Sequence, residues 1–204
     1  MKKLTTILAI LCSVFSLKAQ NSPNNFQLGI TTSIDKNLSS ESMAFDQYTG
    51  YSADYDKINY RLGLNLEYQF KQNLSINTAI QYSNKNFTGT YFCAVCDFSV
   101  PPSPENIDFR LIEVPLSLRY YFLPDRLGLF GEVGINNQFL LNEELTDKSY
   151  ALGIKLGAGL EYDITQKLAF QFLIDYNRGI TNLYNESDFK ITYLGFGVGI
   201  MKKI

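Results

Sequence analysis

The side chains in this chain that could do chemistry are Arg61, Glu67, Glu113, Arg119, Glu132, Lys155, Glu161 and Asp175, each set singly in an otherwise weakly charged stretch. Neighbouring carboxylates can divide general-acid and general-base work, and a file of alternating charges can pass protons or ions. The same residues can instead fill an interior as mutually neutralising pairs, because an ion taken out of water must be paired. Histidine is absent from all 204 residues, so neither a Ser–His nor an Asp–His arrangement can be built. Carboxylate-only hydrolysis stays open in principle, but no stretch marks a carbohydrate cleft. An enzyme is not expected, nor a cofactor.

Cys93 and Cys96 flank Ala94-Val95, ahead of Pro101-Pro102. A redox C-x-x-C opens a helix and a zinc site needs further ligands; both contexts are missing here. A local disulfide that stiffens a loop tip is the expected reading, provided the chain is exported. The N-terminus supports export. Met1-Lys2-Lys3 is a basic lead, Leu4 to Leu17 is apolar, and Leu17-Lys18-Ala19 offers a cleavage site before Gln20. Residues 1–19 are therefore read as a signal peptide and 20–204 as one β domain. A formal charge of -2 gives no sign of a nucleic-acid partner, and no small-molecule substrate is evident.

What the charges do depends on which way they point, and that is set by the alternation around them. From Ile58 to Tyr82 every second residue is apolar, broken only at Lys71-Gln72-Asn73. Arg61, Glu67 and Gln81 fall on the other phase. A period of two over this length is a hairpin of two long strands. The same pattern marks strands at 26–34, 109–122, 127–139, 152–162, 168–177 and 194–200. A phase slip at Ile112 predicts a bulge just before Pro115, with Phe109 and Leu111 on the dry face. Short turns follow the second, fourth and sixth strands. Long polar loops, about 35–57, 84–108, 142–149 and 179–188, follow the others. The first of these collects Asp46, Tyr48, Tyr51, Asp54, Tyr55 and Asp56, read as a solvated loop with some likeness to a contact surface.

The phase opposite the apolar one is not an ordinary wet surface. It holds Gly, Asn, Gln, Ser and Ala with few charges, and glycine concentrates there at Gly63, Gly153, Gly157, Gly195, Gly197 and Gly199. Glycine weakens a strand, so a solvated face has no reason to collect it. A cramped polar interior does. Aromatic residues near both strand ends fit two bilayer interfaces. The expected fold is all-β: an eight-stranded antiparallel transmembrane barrel of the outer-membrane type, apolar face toward lipid. Its lumen should be filled by side chains, with Glu67, Arg119, Glu132 and Glu161 at one level.

The segment Ile112-Glu113-Val114-Pro115-Leu116-Ser117-Leu118-Arg119-Tyr120-Tyr121-Phe122 resembles a strand of the PorT-like outer membrane β-barrel proteins of Bacteroidota. Lys18-Ala19-Gln20 and Asp175-Tyr176-Asn177-Arg178-Gly179-Ile180-Thr181-Asn182 are similar to that family too. The chain departs from such barrels at its end, finishing Met201-Lys202-Lys203-Ile204 rather than on an aromatic residue. The resemblance implies an eight-stranded barrel in the outer membrane of a Gram-negative bacterium, with some relatives serving protein secretion. The expected role is a non-enzymatic structural or accessory component, in contact with outer-membrane lipid and with a membrane or secretion-complex protein. The alternative is a narrow channel for ions or small solutes.

Overall fold

A computed structural model describes residues 26–44, 46–97, 101–123, 126–142, 146–185 and 189–204. The expected signal peptide lies outside the described residues. Twelve strands are present among them: β1 (Phe26–Asn37), β2 (Ser42–Ala44), β3 (Thr49–Asp54), β4 (Asn59–Lys71), β5 (Leu74–Asn84), β6 (Phe87–Cys93), β7 (Glu105–Ile107), β8 (Arg110–Leu123), β9 (Leu127–Leu140), β10 (Tyr150–Thr165), β11 (Leu168–Gly179) and β12 (Thr192–Lys203). Eight close into an antiparallel barrel in the order β1-β12-β11-β10-β9-β8-β5-β4, and β2, β3, β6 and β7 form a separate four-stranded sheet. The barrel strands are the eight read from the alternation.

Closure is by β1, which pairs with both β12 (Ile30↔Ile200) and β4 (Ile30↔Leu64). The wall thereby has no free strand edge, as hydrocarbon demands. The outward phase is bare: Ile34 is 61%, Leu64 59% and Ile80 64% exposed. A continuous apolar surface of this kind suits lipid, not water. Aromatic pairs mark both rims, Tyr60–Tyr82 and Phe139–Tyr150 at the loop end, Phe26–Tyr68 and Tyr120–Phe122 at the turn end.

Three expectations need correction. The bulge before Pro115 is absent. β8 keeps one register with β9 from Leu111↔Leu140 to Tyr121↔Phe130, and flanks Pro115 against β5 without a slip. The shifts in the barrel ladder fall at the short turns instead, between Gln69/Lys71, Tyr121/Leu123 and Asp163/Thr165. Second, Phe109 and Leu111 are buried, at 1% and 0% exposure, so they face the lumen and not lipid. The apparent phase slip arises because the lumen itself turns apolar there, so Leu111 inside and Ile112 outside look alike. Third, the first two long loops are not simply polar loops. They fold into the second sheet, where β3 pairs with β6 from Thr49↔Cys93 to Asp54↔Thr88.

Barrel strands of 11 to 16 residues exceed the roughly 9–11 that cross a bilayer. The extra length carries the upper barrel beyond the membrane, and there the second sheet sits over an apolar core. Met43 and Phe87 from the sheet meet Phe109, Leu111, Leu183, Phe189 and Ile191 from the barrel and its last loop. Phe87 lies 5.7 Å from Phe109 and 6.4 Å from Phe189, ring to ring. Tyr51 and Tyr55, expected in a solvated loop, pack partly against this core.

Candidate functional site: the filled lumen and its cap

Inward-pointing side chains occupy the lumen in layers. At the turn end, Met201 and Ala169 face each other across β11 and β12, both without exposure. Above them is the first charged layer. Arg119 on β8 stands directly opposite Glu132 on β9; its Nη2 is 2.9 Å from Glu132 Oε2 and its Nη1 is 2.6 Å from Glu67 Oε2. Lys155 Nζ reaches the other oxygen of Glu132 at 2.8 Å. Glu161 joins through Tyr121, whose hydroxyl lies 2.8 Å from Glu67 and 2.9 Å from Glu161, and through Gln171 at 2.7 Å. The guanidinium of Arg119 also stacks 3.9 Å from the centre of the Phe130 ring.

A second charged layer lies nearer the loops. Arg61 binds Asp175 through both terminal nitrogens, at 2.7 and 2.9 Å, and Asp35 through Nε at 2.9 Å. Lys85 lies 2.8 Å from Asp35 and 3.2 Å from Glu113. Tyr193 donates to Glu113 at 2.6 Å and accepts from Arg61 and Asn136. Both cations also lie over its ring, Lys85 at 4.2 Å and Arg61 at 4.8 Å. Between the layers is a polar cavity of about 20 Å³, room for about one water.

Two glycines make these layers possible. Gly195 pairs across the ladder with Asp35 on one side and Asp175 on the other, and a Cβ there would collide with Arg61 Nη2. Gly157 stands in the same relation to Glu132 and Asp175, and its Cβ would lie 2.8 Å from Glu132 Cγ. Glycine thus clears the space that the charged side chains cross.

All eight residues named from the sequence are buried inside the barrel, but in two groups. Glu67, Arg119, Glu132, Lys155 and Glu161 form one; Arg61, Glu113 and Asp175 form the other. Four members were missed: Asp35, Lys85, Tyr121 and Tyr193. Extending the alternation would have found them, since Asp35 continues the phase of Thr31 and Ser33, and Lys85 that of Gln81 and Ser83. Tyr121 follows Arg119, and Tyr193 precedes Gly195, by the same step of two. Cys93 and Cys96 are joined in a disulfide at the tip of β6, with Cα atoms 5.4 Å apart.

The family described as outer membrane protein beta-barrel domain matches residues 6–201. The chain belongs to that family. It is a protein of the outer membrane of a Gram-negative bacterium, and its barrel sits in the lipid bilayer. No curated protein matches it in sequence. Among solved structures it is similar to the outer membrane protein OprG from Pseudomonas aeruginosa, at 14% identity and a TM-score of 0.59 over 90% of this chain and 97% of that one. Neisserial surface protein A is similar at 13% identity and 0.52, over 90% and 100%. Outer membrane protein W of E. coli is similar at 12% identity and 0.52, over 91% and 100%. These likenesses are likenesses of fold.

Proposed function

We propose that this chain is a non-enzymatic, non-conducting outer-membrane barrel that works through its folded outer cap, as a structural element or as an accessory to a larger membrane assembly. The observation that carries this reading is the filling of the lumen, two layers of paired charge beneath an apolar core. An ion crossing it would have to displace buried pairs and then enter an apolar layer, each at high cost. A narrow channel, the competing reading, requires a continuous polar path. The lack of histidine removes the usual general base from any hydrolytic reading. The likeness of Ile112–Phe122 to PorT-like barrels supports a secretion assembly as the partner, met by the sheet above the membrane.

Planar-bilayer recording tests the reading. The refolded chain should insert without steady unitary currents. Steady currents that disappear in Glu132→Gln would overturn it and establish a path through the lumen.

A further inference from the structure

The inward face of the barrel wall carries charges of both signs, the outward face charges of one sign only. On the barrel strands the carboxylates of Asp35, Glu67, Glu113, Glu132, Glu161 and Asp175 lie on the buried, inward phase, and Asp163, half-buried at the turn end of β10, is paired with Lys203. The outward phase carries cations alone, Lys36, Arg110 and Arg178 at the loop end and Lys202 at the turn end. Long basic side chains can snorkel at an interface, so one exposed cation needs no ligand. Convergence of several on neighbouring strands is a different matter.

Lys36, Arg178 and Lys190 meet on one arc of the wall. Lys36 on β1 is opposite Leu194 on β12, and Arg178 on β11 is opposite Thr192 on β12. Thr192 is therefore the direct neighbour of Arg178 and the diagonal neighbour of Lys36. Lys190 lies two residues before Thr192, just ahead of β12, half-exposed between the buried Phe189 and Ile191. Neighbouring strands are about 4.8 Å apart, and diagonal neighbours about 7–8 Å, so three long side chains can reach one anion. None of the three takes part in a salt bridge among the described residues. Directly below them the wall is apolar, with Ile34 61%, Phe196 47% and Ile174 39% exposed.

We propose that Lys36, Arg178 and Lys190 form a binding site for the phosphate of a phosphorylated glycolipid in the outer leaflet, whose acyl chains run down over Ile34, Ile174 and Phe196. The position decides the source. The long loops mark the outer side of such barrels, so the arc stands at the outer leaflet's headgroup level. Guanidinium and ammonium groups together suit a phosphate, the first by paired N–H donors and the second as a point charge. The site faces lipid and is independent of how the lumen is read.

The test is lipid binding to the full mature chain, refolded in detergent and titrated with diphosphorylated lipid A under native mass spectrometry. Each basic group near an anionic lipid surface contributes about fivefold in affinity, so Lys36→Ser/Arg178→Ser/Lys190→Ser together should bind about a hundredfold more weakly. Arg110→Ser, on the far side of the barrel, should leave binding unchanged, and Arg178→Lys should keep most of it. Dephosphorylated lipid A should bind wild type as weakly as diphosphorylated lipid A binds the triple variant. The proposal is overturned if Arg110→Ser weakens binding as much as the triple variant does, or if phosphatidylglycerol displaces lipid A at equal concentration. Retained heat-modifiable migration of each variant shows that the barrel is folded.

Discussion

The middle of the lumen and the space under the cap solve the same problem with opposite chemistry. In the middle, Arg119 holds two carboxylates and Arg61 holds two more, all buried. Under the cap, Phe87, Phe109, Leu111 and Phe189 pack with no charge among them. The first arrangement is directional, since each ion has its partners fixed at hydrogen-bond distance. It tolerates little change, because removing one member strands another. The second is non-directional, and its stability follows the apolar area removed from water. It ties a small sheet to the barrel mouth. The contrast teaches that a narrow barrel can use ion pairs where the membrane surrounds it and an ordinary core where it emerges.

Arg119→Met should have the largest effect, a loss of about 3–5 kcal/mol, because it strands Glu67 in the lumen while Lys155 still serves Glu132. The urea midpoint of the barrel folded in lipid vesicles measures it, and adding Glu67→Gln should recover a large part. Phe87→Ala should cost about 3–4 kcal/mol, but the loss falls on the cap. Protease should cut between residues 41 and 57 while the urea midpoint of the barrel moves much less. Equal shifts in both readouts would mean that the two regions are one cooperative unit. Gly195→Ala should cost about 1–3 kcal/mol by pressing a methyl into Arg61 and Asp175.

The smallest effect belongs to the sheet's exposed tip. The carboxyl of Asp46 is held below its ordinary value of 3.8, first by the backbone N–H of Tyr48, then by the hydroxyl and N–H of Thr49. A lowered folded value means its support of the β2–β3 turn is complete above about pH 4 and lost as pH falls through that lowered value. Amide protection at Tyr48 and Thr49 should decline across that range, and in Asp46→Asn it should show no such step.

The wall was legible because lipid and lumen differ sharply. Leu62, Leu64 and Leu66 against Arg61, Gly63, Asn65 and Glu67 leave one assignment for β4, and all eight barrel strands follow this pattern. Legibility failed where that contrast vanished. Phe109 and Leu111 face an apolar lumen, so their phase could not be told from that of Ile112. β2 and β7 are three residues each, too short for a period of two to register. Asp35 and Lys85 are hard to read from sequence because charges at strand ends look solvated, although each is paired inside. The grouping of the charges into two layers depends on stagger between strands, which single-strand alternation does not carry.

The central claim is that no continuous water path crosses the lumen and that its charges are paired with one another. Nitrogen-15 NMR of the barrel in lipid nanodiscs, reading solvent exchange of the Arg119 Nε–H, tests it most directly. Exchange should be far slower for Arg119 than for the outward Arg178, and it should accelerate in Glu132→Gln, which removes the carboxylate that accepts this proton. Exchange at Arg119 as fast as at Arg178 in the unaltered chain would mean that water fills the lumen, and the account would fail.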